Sequence, residues 1–226
     1  MVGRNHTSMK PTNSREIIIS VLLIVFCFLF PHYGGLPIFI YPIIVLAIIW
    51  VVLKYTTKEN FTDLFFSFRR FEFAAIWIGI VAAILLSCFF NFLWDPVINR
   101  LLPHEQTDLS DFAGIRNNPF NYAFILLLSL IVGGFYEELV FHGLIFTRLE
   151  KIFSGRYATV TAFITSNIIF GLYHFQLGIK GVLLATIAGF VYHALILKFN
   201  RNLWYGIFVH AFFDFIGFTL IYLGYL

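Results

Sequence analysis

Charge is what this sequence has least of. Only 12% of its 226 residues are Asp, Glu, Lys or Arg, against 60% from the apolar set, and the mean hydropathy is +0.86. A soluble domain is typically about a quarter charged, and a chain of this length folded in water exposes more surface than so few charges can cover. That scarcity excludes a water-soluble globular fold, so the chain is better counted in membrane spans than in domains. Cysteine is scarce too. Cys27 and Cys88 both fall inside apolar runs, read as small core residues, and say nothing of the redox compartment. Internal repeats and low-complexity tracts are absent. The net charge of +3 and pI of about 8.9 would suit nucleic acid only if the basic residues formed a patch. They sit instead in short loops between apolar runs, so nucleic acid is set aside and the lipid bilayer is the expected partner.

What the sequence does have is long apolar runs. A transmembrane helix needs about 20 mostly apolar residues. Seven runs qualify or nearly do: Ile17–Phe30, Leu36–Leu53, Phe71–Trp94, Pro119–Phe146, Thr159–Phe175, Gly181–Leu197 and Leu203–Leu223. The first is short and is followed by Pro31, Gly34, Gly35 and Pro37, which mark a tight turn. Arg4, Lys10 and Arg15 before it would suit a signal peptide, but no small-residue cleavage site follows, so a retained helix is expected. With the N-terminus inside and seven crossings, twelve of the fifteen Lys and Arg fall on the inner side. Only Arg100, Arg116 and Lys180 fall outside, as the positive-inside rule requires. The expected fold is therefore an all-α, polytopic membrane bundle. The short loops and minimal tails suit a prokaryotic cell membrane.

Two connections stand out. Phe61, Leu64, Phe65 and Phe68 fall at i, i+3, i+4 and i+7 between Lys58 and Arg69–Arg70, the pattern of an amphipathic helix lying in the inner interface. The stretch 95–118 carries Asp95, Glu105, Asp108 and Asp111 and reads as a solvated outer loop, His104 included. The chain divides at that loop into an N-terminal membrane region, 1–118, and a membrane core, 119–226.

Ionisable groups at the centre of a span cost about 2.5–3.5 kcal/mol on insertion scales and are functional candidates by default. The fourth run reads Gly-Gly-Phe-Tyr-Glu137-Glu138-Leu-Val-Phe-His142-Gly, the fifth ends Phe170-Gly-Leu-Tyr-His174, and the seventh contains His210-Ala-Phe-Phe-Asp214. Glu138 and His142 are four apart and share a face, as do His210 and Asp214, while Glu137 points about 100° away from the Glu138–His142 pair. At about 1.5 Å per residue, Glu137 lies about 16 Å above Arg148 and His210 about 13 Å above Arg201. His174, about 27 Å from Arg156, is too deep to match them. The expectation is a polar cavity in the inner leaflet between the fourth, fifth and seventh spans. His193, outside these motifs, reads as structural.

Glu-Glu-x-x-x-Arg, then Phe-x-x-x-His, then His-x-x-x-Asn/Asp, each on a separate membrane helix, mark the CPBP family of CAAX prenyl proteases and bacteriocin-processing enzymes, also called Abi. From about Tyr122 to Phe215 this chain resembles it, with His142 where the family has arginine. The resemblance implies a glutamate-type intramembrane endopeptidase acting on a membrane-associated peptide or lipidated protein. Glu137 would activate water with help from His174, and His210 and Asp214 would hold the oxyanion. Glu138, with residue 142, would orient the site. No cofactor and no metal are expected.

Two other classes compete. A metallopeptidase could use Glu137, Glu138, His142, His174 and His210, although no His-Glu-x-x-His motif supports zinc. A non-catalytic scaffold or self-immunity protein could retain the fold, and His142 is the one hint of it. A transporter would show paired broken helices, and none is evident.

Overall fold

The computed structural model describes residues 13–226, and no strand occurs among them. Seven helices run in chain order: α1 (Ser14–Tyr33), α2 (Tyr41–Thr57), α3 (Phe73–Leu101), α4 (Pro119–Phe153), α5 (Ala158–Tyr173), α6 (Gly178–Lys198) and α7 (Leu203–Leu223). Five are long and apolar enough to cross a bilayer: α1, α3, α4, α6 with the short turn before it, and α7. α2 passes only together with Phe61–Arg70, from which it is bent by 111°, and α5 is shorter, at 16 residues. The all-helical membrane bundle holds, with five or six candidate spans where the apolar runs suggest seven. Arg4 and Lys10, counted on the inner side, lie outside the described residues.

The helices begin where their sequences allow. Asn118 accepts from the Asn121 amide at 3.1 Å and Pro119 follows as the first helical residue, so α4 starts with its orphan donors partly met. Asn202 caps α7 through the Trp204 amide in the same way. α4 is the axis of the protein: Tyr136 through Glu150 are buried without a break. Its middle, Leu130–Ile145, is wound as a π-helix, an uncommon form that is frequent at functional sites. The outer helices show the reverse. Leu22, Trp77, Leu85 and Phe92 are each more than 60% exposed, an apolar surface that water would not tolerate and lipid does.

The amphipathic stripe of 61–68 does not form an interfacial helix. Lys58 and Phe65 adopt left-handed backbone (φ 60° and 69°), which breaks the chain into short 3-10 turns at Phe61–Leu64 and Phe68–Arg70. Leu64, Phe65 and Phe66 turn into the protein core, leaving Phe68 outside. Cys88 is a second departure: Cys27 is buried as expected, but Cys88 faces outward from α3.

The basic ends of the helices are tied together at one face. Arg70 donates to the main-chain oxygens of Arg201 (2.9 Å) and Asn200 (2.6 Å), and Arg201 forks onto Glu150 at 2.7 and 2.8 Å. Glu59, in the turn after α2, binds Arg148 at 2.5 Å and also Lys151. Burial opposes the charge on Glu59, but the two cations outweigh it and hold the carboxyl below its usual range. Its contribution is complete above its unfolded pKa of about 4.3 and is lost as pH falls through the lower folded value. We expect Glu59→Gln to cost about 1–3 kcal/mol, read as a lower melting temperature in detergent at neutral pH. The gap from wild type should close as the buffer is taken below about pH 4; a constant gap would contradict the ion pair.

Candidate active site

The adjacent glutamates of α4 go to different environments. Glu138 is fully buried and both its oxygens are taken: Oε2 by His142 Nδ1 at 2.7 Å, Oε1 by His210 Nδ1 of α7 at 2.8 Å. Glu137 turns to the other side. Its Oε2 lies 3.6 Å from His174 Nε2 and 4.0 Å from His210 Nε2. The first of those is longer than a direct hydrogen bond and suits a contact shared through one water. His174 closes the end of α5, where its Nδ1–H donates to the Phe170 carbonyl at 2.8 Å. A carbonyl only accepts, so Nε2 is the nitrogen presented to Glu137. Asp214, one turn beyond His210, has Oδ1 3.7 Å from His210 Nε2.

Four of the six candidate residues, Glu137, His174, His210 and Asp214, thus line one cavity of about 520 Å³. Glu138 and His142 stand behind it. The close approach of α4 to α7 depends on glycine. A Cβ on Gly133 would fall 2.7 Å from Asp214 Oδ2, and one on Gly206 would fall 2.5 Å from Glu138 Oε2. The cavity faces away from the basic ends of the helices. It opens among Pro31, Leu36, Asp111, Phe112 and Gln176, at the helix ends opposite the tied basic face. His174 is the reason. It sits at the far end of α5, so the depth mismatch against Arg156 is real, and the other site residues meet it from the middle of α4 and α7.

Behind the cavity is a set of residues that the motifs do not include. Asn167 of α5 donates from Nδ2 to the Phe163 carbonyl at 2.7 Å, which settles the orientation of its amide. Its Oδ1 therefore faces His142 Nε2, 3.1 Å away, and accepts from it. With Glu138 ionised, His142 donates from both nitrogens, to a carboxylate on one side and an amide oxygen on the other. Arginine is the side chain that always offers donors this way, and a doubly protonated imidazole is its nearest equivalent. Asn167 Nδ2 also lies 3.1 Å from His193 Nδ1, and the His193 ring packs 4.8 Å from that of His142. His193 is buried and does not line the cavity, and its Nε2 has no hydrogen-bond partner among the described residues. Asn167 was legible as a polar residue seven before His174, two turns along one helix face. Nothing in the sequence joins His193 to His142.

Among the described residues no group of three or more His, Cys, Asp or Glu side chains is arranged to hold a metal ion. Glu138 has no free oxygen to offer one. Comparison with protein families decides the relationship. Residues 119–216 match the family described as type II CAAX prenyl endopeptidase Rce1-like. The likeness is confined to this segment of the chain. No curated protein and no solved structure matches the chain. The Rce1-like segment begins with α4, ends two residues beyond Asp214 and contains every residue of the cluster, Asn167 and His193 included.

Asn167→Leu removes the acceptor of His142 Nε2–H and the donor to His193 at a fully buried position. The expected cost is about 1–3 kcal/mol for each buried group left unpaired. At about 2–4 °C per kcal/mol for a chain of this size, differential scanning in detergent resolves it. An unchanged melting temperature would show that the Asn167 bonds do not form.

Proposed function

We propose that the chain is an intramembrane endopeptidase that hydrolyses a peptide bond with a water activated by Glu137. A protease-family core and a bundle of membrane helices support a peptide or protein substrate handled within a bilayer. The short connections between helices favour a prokaryotic cell membrane. The observation that carries the glutamate reading is the division of labour between the adjacent carboxylates. Glu138 is spent on two histidines, whereas Glu137 faces the cavity between His174 and His210.

In this reading a water held between Glu137 and His174 attacks the scissile carbonyl carbon, and Glu137 takes its proton. The oxygen that gains charge lies toward His210 Nε2 and Asp214, the polar groups opposite. His210 already donates from Nδ1 to Glu138, so to donate from Nε2 as well it must carry both protons. Glu138 on one side and Glu137 on the other are the acids that face this ring. Collapse of the tetrahedral intermediate breaks the C–N bond, and the proton on Glu137 passes to the leaving amine. Because Glu138 holds His210 Nδ1, Asp214 is not needed to set that ring's tautomer. It acts instead as a second, protonated donor to the oxyanion. His142 takes the place of the family's arginine as the cation on Glu138.

The test is single-turnover cleavage by purified protein of a peptide identified as a substrate in cells. Glu137→Gln is expected to lower the rate by at least about a hundredfold while the protein still inserts and folds. Turnover near the wild-type rate would end the glutamate reading. In the same assay Asp214→Asn keeps a donor of the same shape and should preserve the rate. A loss of about a hundredfold or more, the effect of removing one oxyanion donor, would defeat the donor role.

A further inference from the structure

We infer that the cavity is loaded from the non-cytoplasmic side of the membrane and takes an apolar peptide segment that has crossed to that side, not the cytoplasmic tail of a prenylated protein. This rests on the peptidase reading for its chemistry but on separate observations for its direction. The first is the charge of the two faces. Arg69, Arg70, Arg148, Lys151, Lys198 and Arg201 lie at the ends of helices joined by the Arg70 and Glu150 contacts, with Glu59 tying two of them in. The opposite ends carry Arg100, Arg116 and Lys180 beside Asp95, Glu105, Asp108 and Asp111. That these segments share a face is seen in the Asp108 amide bonded to the Leu177 carbonyl (3.1 Å), Lys180 bonded to Asn99 (2.6 Å) and Phe112 packed on Phe218 (4.9 Å). Lysine and arginine excess in short loops sets orientation, and the rich side stays in the cytoplasm.

The second observation is where the cavity opens. Its mouth is formed by Leu36, Ile38, Asp111, Phe112 and Gln176, all on the face poor in cations, and its floor by Glu137, His174 and His210. From the basic face the same floor is closed by Tyr136 through Glu150 of α4, buried without a break, and by the turn 61–66 packed beneath it. A substrate approaching from the cytoplasm would have to pass this packed layer. One approaching from the other side passes Leu36, Ile38 and Phe112, which can desolvate an apolar stretch before the polar floor is reached. The site is thus reached from the end of the helices opposite the basic face.

Direction is tested without reference to catalysis. In a Cys88→Ser background, with Cys27 left in the core, Gln176→Cys marks the cavity mouth and Ser154→Cys the basic face; both positions are exposed. A membrane-impermeant maleimide should label Gln176→Cys in spheroplasts of the expression host and Ser154→Cys only in inverted vesicles. The reverse pattern would overturn loading from outside and leave the peptidase reading standing. The substrate class is tested by comparing peptides from cells expressing wild type and Glu137→Gln. The expected differences lie in the non-cytoplasmic fraction. Differences confined to the cytoplasmic fraction would overturn this inference alone, and none in either fraction would overturn both readings.

Discussion

A carboxylate buried between two imidazoles organises this protein. Glu138 has no access to solvent, and an uncompensated charge there would cost several kcal/mol. His142, one turn away on the same helix, meets one oxygen, and His210, from α7, meets the other. The bond to His210 is the more constraining because it joins two helices. It sets how close α4 and α7 must come, and Gly206 supplies the clearance, since a side chain there would strike Glu138 Oε2. His142 passes the constraint to α5 through Asn167, whose amide is held by the Phe163 carbonyl. Three helices are therefore registered against one another by one ionised group. Glu137 gains its position as a consequence. It is next in sequence to a residue that cannot move, and it projects into the space that the other helices leave.

The rest of the fold serves the same arrangement from a distance. The ends of α4, the turn after α2 and the start of α7 are clamped by Glu59, Glu150, Arg148, Arg70 and Arg201, so the charged face resists sliding of α4 along its axis. Exposed apolar side chains on α1 and α3 give the bundle its lipid contact. The cavity opens away from the clamped face, among the segments 31–38, 111–112 and 173–177.

How much of this was legible depends on the kind of interaction. Ionisable residues in apolar runs are conspicuous because burial is expensive, so Glu137, Glu138, His142, His174, His210 and Asp214 stood out, and i, i+4 spacing paired Glu138 with His142 correctly. The match of 119–216 to the Rce1-like family coincides closely with the stretch those motifs span. Spacing along one helix says nothing about which residue on another helix answers it. So the His210–Glu138 bond is not legible in the spacing, whereas the shared face of His210 and Asp214 is, and their side chains stand 3.7 Å apart. Neutral polar residues carry a weaker signal, which is why Asn167 went unmarked. Periodicity misled at 61–68, where left-handed backbone at Lys58 and Phe65 overrode a regular apolar spacing. Counting residues inward from basic ends gives a depth along each helix but does not say which end of the helices the cavity opens toward.

The account stands on Glu138 being the ionised bridge and Glu137 the free group. The direct measurement is the melting temperature of Glu138→Gln beside that of Glu137→Gln, both in the same detergent. Replacing Glu138 leaves two buried histidines facing a neutral amide, and breaking a buried pair in this way costs about 3–5 kcal/mol. Replacing Glu137, which lines a cavity and makes no contact shorter than 3.6 Å to either histidine, should leave the transition close to wild type. A large drop for Glu138→Gln with little change for Glu137→Gln is the predicted result. Equal melting temperatures for the two variants, or a larger loss for Glu137→Gln, would contradict it.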